Sequence, residues 1–230
     1  MEIDILGAAF QAYREKFDSL PEADREAMRR RREADSHAVA LASMEARRGE
    51  TAQLWYAGLN MGTPDQQILG TALPDGKWSN PDDCARFGGK LIIYGPAGTR
   101  KTTLLKRVVW ELIGTGWKPR GGYIPRLMDR LKSKDIGDTM DWLLSGKLLI
   151  LDDLDKLRGS AYEGERILSI LDHYDSNKLP VLATMNCDVN TMTARLSQTI
   201  PADYVESIMS RLINRATFLE ASGPDFRKLA

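Results

Sequence analysis

Cysteine and histidine are nearly absent from this 230-residue chain, which has only Cys84, Cys187, His37 and His173. Two cysteines exclude a disulfide framework and a thiolate zinc cluster, and two histidines leave little material for a histidine-rich metal site. Net charge is missing as well: 32 basic residues balance 32 acidic ones. That balance excludes a protein that coats nucleic acid through overall positive charge, while leaving room for a local basic patch. No segment approaches the roughly 18 consecutive apolar residues that would cross a bilayer, so no membrane partner is expected. The opening MEIDILGAAFQAYREKF has early acidic residues and no continuous apolar run, unlike a secretory leader. The expected location is cytoplasmic. What remains is a globular composition, 43% hydrophobic and 28% charged, in a chain long enough for one sizeable α/β domain and an appendage.

The appendage comes first. Ile3, Leu6, Phe10, Tyr13 and Phe17 recur at helical spacing until Pro21. Residues 22–48 are rich in Ala, Glu, Arg and Met, and Gly49 reads as the stop of a second helix. The apolar stretch at 54–59 would pack the two helices together. These residues form an expected helical extension over 1–60, followed by a Gly- and Pro-punctuated linker over 61–89. From residue 90 onward, short apolar runs alternate with helical patterns. LIIYG (91–95), GGYI (121–124), LLILDD (148–153), VLAT (181–184) and ATFLEAS (216–222) read as strands. Helices are expected near 101–113, 126–133, 138–145, 163–177 and 203–214. This alternation predicts a parallel sheet covered by helices on both faces.

The first strand runs into GPAGTRKTT, which comprises Gly95, Pro96, Ala97, Gly98, Thr99, Arg100, Lys101, Thr102 and Thr103. A glycine-rich turn between a strand and a helix brings backbone N–H groups close to a triphosphate, and the helix N-terminus adds its positive end. In this pattern Lys101 reaches the β- and γ-phosphates of ATP and the Thr102 hydroxyl ligates Mg²⁺. Arg100 stands where the second glycine of G-x-x-x-x-G-K-[ST] belongs. A side chain held in a glycine-type backbone conformation costs about 1–2 kcal/mol, enough to weaken binding and turnover without erasing the site.

The strand LLILDD ends in two carboxylates. Asp152 is expected to hold Mg²⁺ and Asp153 to polarise the water that attacks the γ-phosphate. Asp155 reads as a cap of the next turn. Asn186, just beyond VLATM, falls at the carboxyl end of a strand, where ligands bind in open α/β sheets, and is placed to touch the water or the γ-phosphate.

In order and spacing, the phosphate loop, LLILDD and VLATMN resemble the AAA+ ATPases, and more narrowly the bacterial helicase loaders of the DnaC/DnaI type and the related IstB transposition ATPases. The resemblance spans about residues 88–228. It implies an α/β P-loop AAA+ domain over 90–230, with no separate C-terminal lid domain. It also implies an arginine finger at Arg211 in ESIMSRLINR, acting on a neighbouring subunit's nucleotide, and a nucleotide-contacting Arg227 in SGPDFRK. A finger acting across subunits implies a nucleotide-dependent homo-oligomer.

Residues 118–134 contain six basic residues against only Asp129. The resemblance puts this region and the loop DKLRGSAYE toward the pore of the assembly. Arg126, Arg130, Lys132, Ser160 and Tyr162 are the expected contacts with single-stranded DNA. The run Arg29–Arg32 lies in a segment with more acidic than basic residues, so it reads as a solvated helix rather than a nucleic-acid footprint. The resemblance also implies that the extension docks on a replicative DNA helicase, with the stripe in 3–20 as the contact; packing against 54–59 is the alternative. Three functions compete: a helicase loader, an IstB-type helper that recruits a transposase to duplex DNA, and an adaptor that binds ATP with little hydrolysis because of Arg100.

Overall fold

A strand buried on both faces is largely apolar, and the inner strands of this sheet divide their side chains between two cores. A computed structural model describes residues 18–59, 89–114, 117–133 and 135–228. The strands are β1 (Lys90–Tyr94), β2 (Pro119–Tyr123), β3 (Leu148–Asp152), β4 (Val181–Met185) and β5 (Ala216–Glu220). They form one sheet in the order β2-β3-β4-β1-β5, with every pairing parallel. On one face, Leu91, Ile93, Leu148, Ile150 and Leu182 pack against Leu105, Val108, Val109, Leu112 and Ile113 of α2 (Lys101–Gly114). The alternate residues, among them Ile92, Leu149, Leu151, Val181 and Ala183, face the second core. That core is closed by α3 (Ile124–Leu131), α4 (Ile136–Leu144), α5 (Ala161–Ser176), α6 (Val189–Leu196) and α7 (Ala202–Ile213). The expected α/β fold with a parallel sheet between helices is present.

The strand and helix boundaries agree with the sequence expectation to within about two residues. Three elements were not anticipated. One is α6, whose N-cap Asp188 accepts a hydrogen bond from Thr191 N at 2.7 Å. The others are the 3-10 turns Leu154–Lys156, which follows β3, and Phe226–Lys228.

Amino-terminal to the sheet, α1 (Glu22–Leu59) is one 38-residue helix. Gly49 does not end it, which corrects the expected break. An isolated glycine costs a helix about 1 kcal/mol, and the surrounding Ala, Glu, Arg and Met residues outweigh that. Pro21 instead marks its start, where the Pro21 carbonyl accepts from Asp24 N and Arg25 N, both at 3.0 Å. Arg29–Arg32 are exposed on this helix, and Arg30 pairs with Glu26 one turn back at 2.6 Å. The chain separates into two compact units, residues 1–46 and 47–230. The expected helix over 3–20 and the linker over 61–89 lie almost wholly outside the described residues. No helix among the described residues is long and apolar enough to cross a membrane.

Candidate nucleotide-binding site

β1 lies inside the sheet, between β4 and β5, so the loop that leaves it opens at the carboxyl edge with strand ends on both sides. Close approach to those neighbours explains the first glycine. Gly95 has φ 143, and a Cβ there would stand 2.3 Å from the carbonyl oxygen of Ala221, the residue after β5. Gly95 N donates to Met185 O at 3.2 Å, and Ala221 N donates to Tyr94 O at 2.7 Å. The loop is therefore pinned on both flanks.

Within the loop, Pro96 and Ala97 are exposed, and the Thr99 hydroxyl donates to Pro96 O at 2.9 Å. Lys101 opens α2 and is only 5% exposed; its Nζ turns back to Gly95 O at 2.9 Å and Pro96 O at 2.6 Å. An ammonium group at a helix N-terminus, encircled by loop carbonyls, sits where phosphate oxygens are best received. Thr103 is half-buried on the same first turn. Arg100 adopts φ 62, the left-handed region that the missing glycine requires. Its guanidinium stacks over the Phe226 ring, 4.0 Å from the centroid, rather than reaching into the loop.

Both carboxylates of LLILDD come to this opening. Asp152 ends β3 and is buried, and its Oδ1 accepts from Thr102 Oγ1 at 3.0 Å and from Thr184 Oγ1 at 2.7 Å. Burial pushes the Asp152 carboxyl above the usual carboxylate range, while the two hydroxyl donors pull it partly back. Thr102 and Asp152 fit Mg²⁺, which takes oxygen ligands and is usually bound through one or two carboxylates together with phosphates. Among the described residues no group of three or more His, Cys, Asp or Glu side chains forms a metal cage.

Asp153 is half-buried and left-handed, with φ 54 and ψ 50. Its N–H donates to Thr184 Oγ1 at 2.8 Å, and its Oδ1 accepts from Asn186 Nδ2 at 3.3 Å. Thr184, which no motif marks, bridges both aspartates; a hydroxyl inside the fully buried strand VLATM is the signal for it. Asp155 does not cap the following turn. It is 4% exposed and accepts from Asn186 N at 2.9 Å and from Asn186 Nδ2 at 3.1 Å. That grip fixes the Asn186 amide beside Asp153.

Arg211 lies elsewhere. Its carbonyl accepts from Lys90 Nζ at the start of β1, whereas the phosphate loop leaves the other end of that strand, about 17 Å away at 3.3 Å per residue. Its guanidinium is bonded to Asp172 of α5 and to Ser207 O, at 3.1 Å for the latter. Arg227 falls in the 3-10 turn Phe226–Lys228, and its side chain lies outside the described residues.

The expected DNA contacts divide into two groups. Arg126 and Arg130 are exposed, and Arg130 stacks over Trp142 at 4.7 Å. Lys132, Ser160 and Tyr162 have internal partners. Lys132 Nζ pairs with the buried Glu163 at 2.6 Å, Ser160 Oγ accepts from Glu163 N at 3.2 Å as the N-cap of α5, and Tyr162 OH donates to Leu131 O. Glu163 also accepts from Arg158 N at 2.9 Å and Gly159 N at 3.2 Å. Its signal in the sequence is a capping-box pattern, a serine followed three residues later by glutamate.

No protein-family model matches the sequence, and the comparison with curated proteins finds no match. Solved structures do match. DnaI is similar at a TM-score of 0.52 and 24% identity, over 69% of this chain and 88% of that one. The replication initiator DnaA bound to AMPPCP and single-stranded DNA is similar at 0.53 and 17% identity, over 68% of this chain and half the length of that one. Domain III of the Thermotoga maritima replication initiation protein DnaA is similar at 0.54 and 15% identity, over 72% of this chain and 70% of that one. The chain therefore has the P-loop AAA+ fold that DnaI and the replication initiator DnaA share.

Proposed function

We propose that this chain is an ATP-dependent DNA replication protein, a helicase loader that binds Mg-ATP and single-stranded DNA and delivers a replicative helicase. The observation that carries the nucleotide part is the convergence of the Lys101 ammonium, the Thr102 hydroxyl and the Asp152 carboxylate at the mouth of one loop. Lys101 would bind the terminal phosphates, and Thr102 and Asp152 would hold Mg²⁺. When bound, the metal neutralises charge on the phosphates. Asp153 would take the proton of the attacking water, with Asn186 orienting that water. Arg211 would serve a neighbouring subunit in a nucleotide-dependent homo-oligomer, and Arg227 the chain's own nucleotide. Exposed Arg126 and Arg130 support contact with the DNA backbone, and a DnaA of the same fold was bound to single-stranded DNA.

The decisive experiment is calorimetry with Mg-ATP on the wild type and Lys101→Ala, followed by co-purification of a replicative helicase with and without residues 1–50. Binding lost in Lys101→Ala and a helicase captured only by the full chain are the expected results. Binding retained in Lys101→Ala would overturn the nucleotide site, and no capture would overturn the loader role.

A second reading, an adaptor that binds ATP with little hydrolysis, is favoured by the strained backbone at Arg100 and by the amide already bonded to Asp153. Turnover that is slow in the wild type and unchanged in Asp153→Asn would select it.

A further inference from the structure

The residue that breaks the glycine pattern of the phosphate loop is also the one whose side chain reaches the turn Phe226–Lys228. Three contacts join the loop to residues 225–226. The Arg100 guanidinium lies 4.0 Å over the Phe226 ring. Phe226 N donates to Gly98 O at 3.1 Å. Gly98, at φ 85, is approached so closely that a Cβ there would stand 1.8 Å from Asp225 Oδ1. A glycine at position 100 would remove the left-handed strain but also the only one of these contacts made by a side chain of the loop. A cation over an aromatic face is attracted by the ring quadrupole, and arginine adds planar stacking. The strain and the stack therefore belong to one arrangement.

We infer that Arg100 is a positioning residue that docks the turn Phe226–Lys228 on the phosphate loop, so that the carboxyl-terminal turn and nucleotide occupancy are coupled. The inference rests on the nucleotide-binding reading above. Residue 227 follows the stacked ring directly, so its backbone is registered against the loop by the same contact. Phosphates arriving at the Gly98 and Arg100 amides would act on a loop whose outer side is already held by Phe226. Loosening that hold would raise the cost of ordering the turn in the bound state.

A double-mutant cycle separates the stack from the backbone strain, because Arg100→Gly alters both and Phe226→Leu only the stack. Mg-ATP affinity is measured by calorimetry for both single variants and the double variant, together with hydrogen exchange at the amides of residues 226–228 in nucleotide-free protein. The expected result is that Phe226→Leu weakens affinity about threefold and accelerates exchange by a similar factor in the wild-type background, the scale of one cation–aromatic contact. Both effects should vanish in the Arg100→Gly background, and Phe226→Tyr, which keeps the ring, should behave as wild type. Equal effects of Phe226→Leu in both backgrounds would overturn the inference. If no variant or wild-type protein bound Mg-ATP, the nucleotide reading would fall, and the coupling to nucleotide with it. The exchange data would still decide whether Arg100 holds the turn.

Discussion

Thr102 and Asp152 meet at 3.0 Å, a hydroxyl in the first turn of α2 donating to the carboxylate that closes β3. They stand fifty positions apart in sequence and reach each other because β3 and the start of α2 both end at the carboxyl edge of the sheet. Their meeting gives the loop its second, acidic wall.

That pairing makes a metal-specific prediction. Thr102→Ala should weaken ATP binding about tenfold in the presence of Mg²⁺ and leave binding in excess EDTA unchanged, since only the metal would use the hydroxyl. Calorimetry under both conditions checks it. Equal loss with and without Mg²⁺ would assign the hydroxyl to the phosphates or to the loop itself.

Asp155 sits beneath Asn186 and presents only acceptors to it. Replacement by asparagine turns one acceptor into a donor facing a donor, so Asp155→Asn should cost about 1–3 kcal/mol in urea unfolding. The displaced Asn186 amide should lower kcat with little change in nucleotide affinity. A variant with unaltered kcat would show that Asn186 does not act on the attacking water.

The basic residues around α3 should separate into two classes. Lys132→Met leaves the buried Glu163 without its cation and should lower stability by about 1–3 kcal/mol. Arg126→Ala should leave stability unchanged. Instead it should weaken single-stranded DNA binding and reduce the salt slope by about 0.7, the loss of one phosphate contact. Melting curves and salt titrations of DNA binding test the two together. An unchanged slope in Arg126→Ala would remove that residue from the interface.

Arg211 is bonded within its own protomer to Asp172, at the end of the sheet remote from its own phosphate loop. Arg211→Ala should spare Mg-ATP binding and lower turnover of the assembled protein by roughly 1,000-fold if it acts in trans. Mixing Arg211→Ala with Lys101→Ala subunits should then restore part of the activity, because some interfaces pair an intact finger with an intact loop. Mixtures as inactive as either variant alone would restrict Arg211 to its structural bond with Asp172.

The inner strands were legible because LIIY, LLIL and VLA are runs without polar alternation, as a sheet buried on both faces demands. The phosphate loop and the paired aspartates were legible as local patterns. Thr184, Asp155 and Phe226 were not, since each acts through a partner far along the chain that no periodicity reports, and the same holds for the Lys132 partner of Glu163. Arg100 shows both sides of this. Its strained backbone follows from its place in a glycine motif, whereas its stacking on Phe226 depends on how the chain returns along β5. Gly49 misled for a different reason: a local stop signal loses to the cumulative propensity of a long helix.

Because Phe226 lies directly against the phosphate loop, any bulk attached within a few residues of it stands beside that loop. An affinity handle placed there would crowd the carboxyl edge of the sheet and should depress any nucleotide binding measured with it. Biochemical preparations are better served by a removable handle, with activity compared before and after its cleavage.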